Sequence, residues 1–406
     1  MQRIIRQNIA IMGLSKGFSF VLFLYIAKQL SQEEYGSYIY IIMVLSLMPL
    51  LQFGSRHGAT VLLPKAIAKK DGCDEDVFLN YSSVSIIIQA FSIVVLLFLN
   101  LEVGTLSVLA IGVTFFLLKL VENAQLKLNS NMEMASSNVI KAVDQVFRPV
   151  LTFAFFLYFN TLSSVFWGQL AAVAIAFGVS LFYVPLTFKL KLNLNLLKRL
   201  YKVGFFIYLI WATDILFRTA DRWFISQFYE KGDLATYGFV SSFSMNLWIL
   251  SLAFIAPYAQ LMYKNVSESN FSAVNKLIGD TNKKLYYLMS ATFLGMMVVY
   301  PIIVDHVLHK YRDTFLLMLV LALVSIFLSL NNMYIYYMNI NEMHFVLLRR
   351  QMFVLIVNLA SNMILAYLHL GIVYFGFSTF MCLVLYFLMV RSCYKKDIKK
   401  KLDSLV

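Results

Sequence analysis

The chain has 406 residues, of which 60% are hydrophobic and only 14% charged, and its mean hydropathy is +0.75. A soluble domain carries about 25% charged residues, so the composition excludes a soluble enzyme and indicates a polytopic membrane protein with almost no soluble domain. The net charge of +13 is spread over loops between apolar runs, where anionic lipid attracts it; nucleic acid is not the partner it points to.

Hydropathy resolves twelve spans near the roughly 20 residues a bilayer needs: 8–28, 36–55, 81–101, 104–124, 146–160, 162–188, 203–228, 234–262, 286–305, 314–338, 351–370 and 371–391. Basic loops orient them. Arg3 and Arg6, the loops after spans 2, 4, 6, 8 and 10, and the C-terminal tail hold all but seven of the 34 Lys and Arg residues. Lys28, Lys231, Lys310 and Arg312 lie on the opposite side, and Lys16, Arg218 and Arg222 lie within spans. This asymmetry predicts that both termini are cytoplasmic. No small-residue cleavage site follows the first apolar run, so span 1 reads as a retained signal anchor. Cys73, Cys382 and Cys393 have neither metal nor disulfide spacing.

Span 1 is polar and small, with Gly13, Ser15, Lys16, Gly17 and Ser19. Lys16 either snorkels to the interface or faces a cavity. After span 2, residues 54–80 read as a helix on the membrane surface. Their acidic group, Asp71, Asp74, Glu75 and Asp76, reads as a solvated loop, since a Ca²⁺ loop needs regular ligand spacing. Lys119, Glu122 and Arg148 lie near the cytoplasmic boundary and read as interface anchors. The basic stretch 189–202 then divides the chain. An N-terminal lobe of six spans covers 1–188, 189–202 is a cytoplasmic linker, a second six-span lobe covers 203–391, and 392–406 is a basic tail.

Span 7 carries Asp214, Arg218, Asp221 and Arg222 within the stretch WATDILFRTADR. At 100° per residue, Asp214, Arg218 and Asp221 share an arc of about 60°. Each charge at the bilayer centre costs about 2.5–3.5 kcal/mol, so the face should look at protein or at water, and such a cluster marks a working site. The structural alternative is pairing along the helix, Asp214 with Arg218 and Arg218 with Asp221. Tyr35-Gly36 and Tyr237-Gly238 open the second span of each half, 202 residues apart, and the same offset carries Lys16 onto Arg218. Six spans per half make the halves parallel repeats.

Farther on, His306 and His309 read as part of a solvated outer loop, because basic residues interleave the three candidate ligands. Asn331 and Asn332 end span 10, and Asn358 and Asn362 share one face of span 11. These asparagines either hydrogen-bond helix to helix or face a sugar-bearing cargo. No phosphate-binding loop and no nucleophile elbow occurs, no cofactor is called for, and outer loops of about ten residues or fewer leave little room for a polymerase site. The pattern favours a transporter.

The polar first span with Asn8, Gly13 and Gly17, the outer loop ending Glu34-Tyr35-Gly36, and the seventh span with Asp221-Arg222 followed by Gly232 and Tyr237-Gly238 make the chain resemble the Wzx-type O-antigen and polysaccharide flippases. These belong to the multidrug/oligosaccharidyl-lipid/polysaccharide exporter superfamily. The resemblance implies an all-α fold of about twelve transmembrane helices, in two parallel six-helix lobes around a central V-shaped cavity. It implies transport of an undecaprenyl-diphosphate-linked repeat unit from the cytoplasmic to the periplasmic leaflet of a bacterial inner membrane, beside a polysaccharide polymerase and a chain-length regulator. Lys16, Arg218 and Arg222 would then line a cationic lumen for the diphosphate. Asp214 and Asp221 would pair these cations or carry a coupling proton or cation, and Asn331, Asn332, Asn358 and Asn362 would face sugar. The competing readings are a multidrug or cation antiporter, which would favour a net acidic lumen, and a membrane polymerase of the same pathway, which would need a long external loop.

Overall fold

The computed structural model describes residues 2–69, 73–99, 101, 103–185 and 191–403, without the side chains of residues 2–10, 12, 68, 69, 253, 256 and 260. Asp71 and Lys189, and the side chains of Arg3, Arg6 and Asn8, lie outside that description.

The described residues are all-helical. In order they form α1 (Gln2–Gln29), α2 (Gln32–Leu47, extended by a 3-10 turn to Gln52), α3 (Ser55–Lys69), α4 (Asp74–Phe98), α5 (Thr105–Ser130), α6 (Met134–Phe159), α7 (Leu162–Tyr183), α8 (Leu194–Phe228), α9 (Lys231–Ser267), α10 (Phe271–His306), α11 (Phe315–Ile340), α12 (His344–Tyr367) and α13 (Val373–Asp403). Apart from α3, each helix overlies one predicted span in sequence order. Ten helical segments are long and apolar enough to cross a membrane, and α9 makes an eleventh when its two arms, bent by 40° ahead of Pro257, count as one. Proline removes one hydrogen bond of the ladder, which accounts for the bend.

Several boundaries differ from expectation for physical reasons. Span 5 was expected to start at 146, but α6 begins at Met134. Lys141, Asp144 and Arg148 depress hydropathy there, yet Asp144 and Arg148 pair one turn apart on the helix. The acidic group is not a loop: Asp74, Glu75 and Asp76 form the first turn of α4, where carboxylates oppose the positive end of the helix dipole. The basic tail is helical to Asp403, as a direct continuation of α13. His309 lies in a 3-10 turn, where Arg312 contacts its Nδ1 at 3.2 Å and reaches Asp305 at 3.4 Å.

The chain forms two compact units, Met1–Leu209 and Ile210–Val406, and the division falls inside α8. Their internal neighbours repeat. In the first unit α7 packs on α5 and α6, and α4 on α5; in the second α13 packs on α11 and α12, and α10 on α11. The two units thus repeat one order of packing, in keeping with the Tyr-Gly pair, and Tyr35 and Tyr237 are both fully buried in the second helix of their units. The first unit adds α3 (Ser55–Lys69), a helix within the segment 54–80, whose later residues open α4.

The first unit also holds the opening turns of α8. Asn193 N–H donates to Asn80 Oδ1 at 2.5 Å and Lys191 N–H to Ser83 Oγ at 3.0 Å. Tyr208 donates to the carbonyl of Leu50 at 2.9 Å. Leu200 is fully buried among Ala59, Leu62 and Leu63 of α3. Glycine makes this approach feasible. A Cβ on Gly58 would stand 2.0 Å from Leu200 O, and one on Gly204 would stand 2.1 Å from Gly54 O. Gly54 itself takes φ +93°, a conformation open to glycine but rare for other residues.

Candidate functional site

Two polar centres sit in the second unit, and α8 supplies the acid of each. One turn of α8 joins Asp214 to Arg218, whose Nη2 lies 2.6 Å from Asp214 Oδ2. The guanidinium also lies 4.9 Å from the ring centroid of Trp248 on α9. A partly exposed cation–π contact of this kind contributes about 0.5–2 kcal/mol. Asp214 in turn lines a small pocket with Gln351 of α12 and Tyr386 of α13. Gln351 Oε1 and Tyr386 Oη are buried there with no hydrogen-bond partner among the described residues.

The second centre surrounds Asp221, which is 5% exposed. Tyr237 of α9 donates its hydroxyl to Oδ2 in a short hydrogen bond. Asn362 of α12 donates to Oδ1 at 2.9 Å, and the Thr379 hydroxyl of α13 lies 2.7 Å from Oδ1 and 2.8 Å from Oδ2. Behind them Asn358 donates to Thr379 Oγ1 at 3.1 Å, so the threonine proton is directed onto the carboxylate. Three neutral donors from three helices therefore converge on one carboxylate. Asn362 Oδ1 has no hydrogen-bond partner among the described residues, which leaves an acceptor beside the acid. Arg222, the next residue, donates to Ser241 of α9 at 2.9 Å.

The predicted residues thus fall into distinct environments. Asp214 pairs with Arg218 as the spacing i, i+4 predicts. Asp221, placed on the same arc from the sequence, turns into the bundle and takes its hydrogen bonds from Tyr237, Thr379 and Asn362. Asn358 and Asn362 are fully buried and serve this network; open space in which to meet a sugar is not where their amides point. Asn331 is buried and Asn332 half-buried on α11. Lys16 is an exposed residue of α1 in the first unit. Tyr237, Thr379, Trp248, Gln351 and Tyr386 carry no charge and no local motif. Only the Tyr-Gly repeat drew attention to one of them.

The first unit contains a contrasting cluster. Glu122 of α5 accepts from Arg56 of α3 at 2.6 Å and from Lys119 at 2.8 Å. Lys119 is only 3% exposed, so these residues are a packed ion cluster and not simple interface anchors. Next to Arg56, burial and that guanidinium hold the His57 imidazole down at about 4, so it stays neutral near neutral pH.

The described residues contain no group of three or more His, Cys, Asp and Glu placed to hold a metal ion. No curated protein matches the chain in sequence. Among solved structures the chain is similar to a multidrug resistance MATE family transporter of the MOP superfamily in its inward-facing conformation, with TM-score 0.80, 12% identity, and 94% of this chain and 95% of that one covered. It is similar to the lipid II flippase MurJ, inward closed, with TM-score 0.71, 16% identity, and 97% and 90% covered. A MOP superfamily transporter from Pyrococcus furiosus, described for the reverse polarity of its binding pocket, gives TM-score 0.63 and 12% identity over 97% and 95%. These likenesses establish the fold, the one shared by those MATE and MurJ structures. The profile of the family described as polysaccharide biosynthesis protein matches residues 5–261, well over half of the chain, and the protein belongs to that family.

Proposed function

We propose that the protein is a flippase for a lipid-linked oligosaccharide. In this reading it moves an undecaprenyl-diphosphate-linked O-antigen or related repeat unit from the cytoplasmic to the periplasmic leaflet of a bacterial inner membrane, with both termini cytoplasmic. The observation that carries the proposal is Arg218. It is a permanent cation in the middle of an apolar helix, oriented by Asp214 and Trp248, in a chain of the polysaccharide biosynthesis family. A diphosphate leaving water needs such a cation, because Coulomb attraction strengthens as the dielectric falls. The guanidinium fork also matches phosphate oxygens in geometry.

On this reading we assign the following roles. Asp214 neutralises Arg218 when no cargo is bound and is displaced by the incoming phosphate. Arg222 and Lys16 extend the cationic path. Asp221 acts as the coupling group: a buried carboxylate whose hydrogen bonds come from neutral donors exchanges a proton or a monovalent cation while those donors keep a partner. A gradient of one charge supplies about 2.3 kcal/mol per 100 mV. Asn332, half-buried on α11, is the remaining candidate for contact with sugar, since Asn331 is as buried as Asn358 and Asn362. The protein works as a transporter and not as an enzyme, supplying cargo to a polymerase and its chain-length regulator.

Complementation of a strain lacking the gene tests this reading. Arg218→Ala should lower surface polysaccharide at least about ten-fold, the effect of about 1.4 kcal/mol in transition-state stabilisation, with normal protein in the membrane. Asp214→Ala should lower it less, and the double variant should stay as low as Arg218→Ala. Full recovery in the double variant would show that pairing was the only role of Arg218, and the proposal would fall.

A further inference from the structure

The last helix carries a feature unrelated to the polar centres. Phe377, Met381, Leu385 and Leu388 form an exposed apolar stripe along α13. The same stripe continues past the apolar span as Ser392, Lys395 and Lys399, flanked by Arg391 and Lys396, all exposed. At 100° per residue, the positions from Phe377 to Lys399 on this stripe fall within an arc of about 80°. Leu388, Arg391, Lys395, Lys396 and Lys399 line one open groove.

The opposite face explains why the cations point outward. Cys393, Tyr394 and Ile398 are buried. Tyr394 donates to Asn275 Oδ1 on α10 at 2.7 Å. Asp397, the one acid between Arg391 and Lys401, accepts from Tyr337 on α11 at 2.7 Å and lies 3.3 Å from Lys401 Nζ. These contacts fix the rotation of α13 and turn Asp397 inward, so from Arg391 to Lys400 the charges on the outer face are all cations; the other carboxylate of the helix, the exposed Asp403, lies one turn beyond Lys399 at its end. Length fits as well. Phe377 to Leu388 rises about 16 Å at 1.5 Å per residue, against about 15 Å for half of a 30 Å hydrocarbon core. The cations of the groove follow directly on this apolar run.

We propose that this groove binds the phosphodiester headgroup of an anionic phospholipid, with the acyl chains lying along Phe377–Leu388. Charge complementarity and the unbroken passage from apolar to cationic surface on one helix face select this occupant. The inference does not depend on which cargo the protein carries.

Thermal unfolding of the full chain in a neutral detergent tests it, with dioctanoyl-phosphatidylglycerol, dioctanoyl-phosphatidylcholine, inorganic phosphate and undecaprenyl monophosphate as separate probes. Phosphatidylglycerol at about 100 times its Kd should raise Tm by several degrees, since a ligand at that concentration adds about 2.7 kcal/mol; phosphatidylcholine should not. K395Q/K396Q/K399Q should lose most of the shift, and the control K264Q/K276Q/K283Q, with the same charge removed from α9 and α10, should keep it. R391Q alone should lose part of it and serves if the triple variant does not fold. Equal loss in the control would overturn the proposal by showing diffuse electrostatics. So would a full shift with inorganic phosphate, which would mark a free-anion site, or a shift confined to undecaprenyl monophosphate, which would assign the groove to cargo.

Discussion

The two units bury charge in opposite ways. In the first, Lys119 is enclosed by an ion cluster, with Glu122 bridging it to Arg56 across two helices. In the second, Asp221 is enclosed by neutral donors: a tyrosine, a threonine and an asparagine. An ion cluster is locked, because removing one partner strands the other in a poorly solvated place. A carboxylate among neutral donors changes protonation or counter-ion while every donor keeps a use. The first unit adds a second lock where Gly54, Gly58 and Gly204 allow backbone-to-backbone packing. Buried polar atoms without a hydrogen-bond partner among the described residues occur in both units, at Gln89 and Asn123 in the first and at Gln351, Tyr386 and Asn362 in the second. On the proposed function, the Glu122 cluster holds and the Asp221 centre exchanges.

Three substitutions test this contrast. The largest expected effect is Glu122→Gln. It leaves Lys119 without its counter-charge and should cost about 3 kcal/mol of stability, read as a drop in Tm, with export falling only as far as the folded fraction falls. Gly58→Ala comes next. The added Cβ would meet Leu200 O at 2.0 Å, so the two helices must part, at about 1–3 kcal/mol by the usual cost of overpacking. Trp248→Leu should have the smallest effect on stability, about 0.5–2 kcal/mol through loss of the cation–π contact with Arg218. Unlike the other two, it should change transport rate more than Tm, because the indole orients a residue of the proposed pathway. Were Glu122→Gln harmless to Tm but fatal to transport, the contrast between a holding cluster and an exchanging centre would be wrong.

Much of the fold is legible in the sequence. Apolar runs of membrane length locate every long helix, because in a bilayer each backbone hydrogen bond must be made within the helix. The repeat is legible from Tyr35-Gly36 and Tyr237-Gly238, since the same turn opens the second helix of each unit. Helix ends are less legible: paired charges such as Asp144 and Arg148 lower hydropathy without ending a helix. The Asp214–Arg218 pair is readable from helical spacing alone. The surroundings of Asp221 are not, because Asn362 and Thr379 lie 141 and 158 residues away in sequence and nothing local distinguishes them from ordinary helix-packing residues.

The central claim is that the chain flips a lipid diphosphate and that Asp221 couples the step to a gradient. Purified protein in proteoliposomes, given a fluorescent undecaprenyl-diphosphate-linked oligosaccharide, measures both through the rate at which label becomes inaccessible to an external quencher. Wild type should translocate the label and respond to an imposed proton or sodium gradient. Asp221→Asn should lose that response by about ten-fold or more, equivalent to 1.4 kcal/mol, while stability changes by only about 1 kcal/mol, the worth of one hydrogen bond. No translocation by wild type, or an Asp221→Asn variant with the full gradient response, would contradict the account.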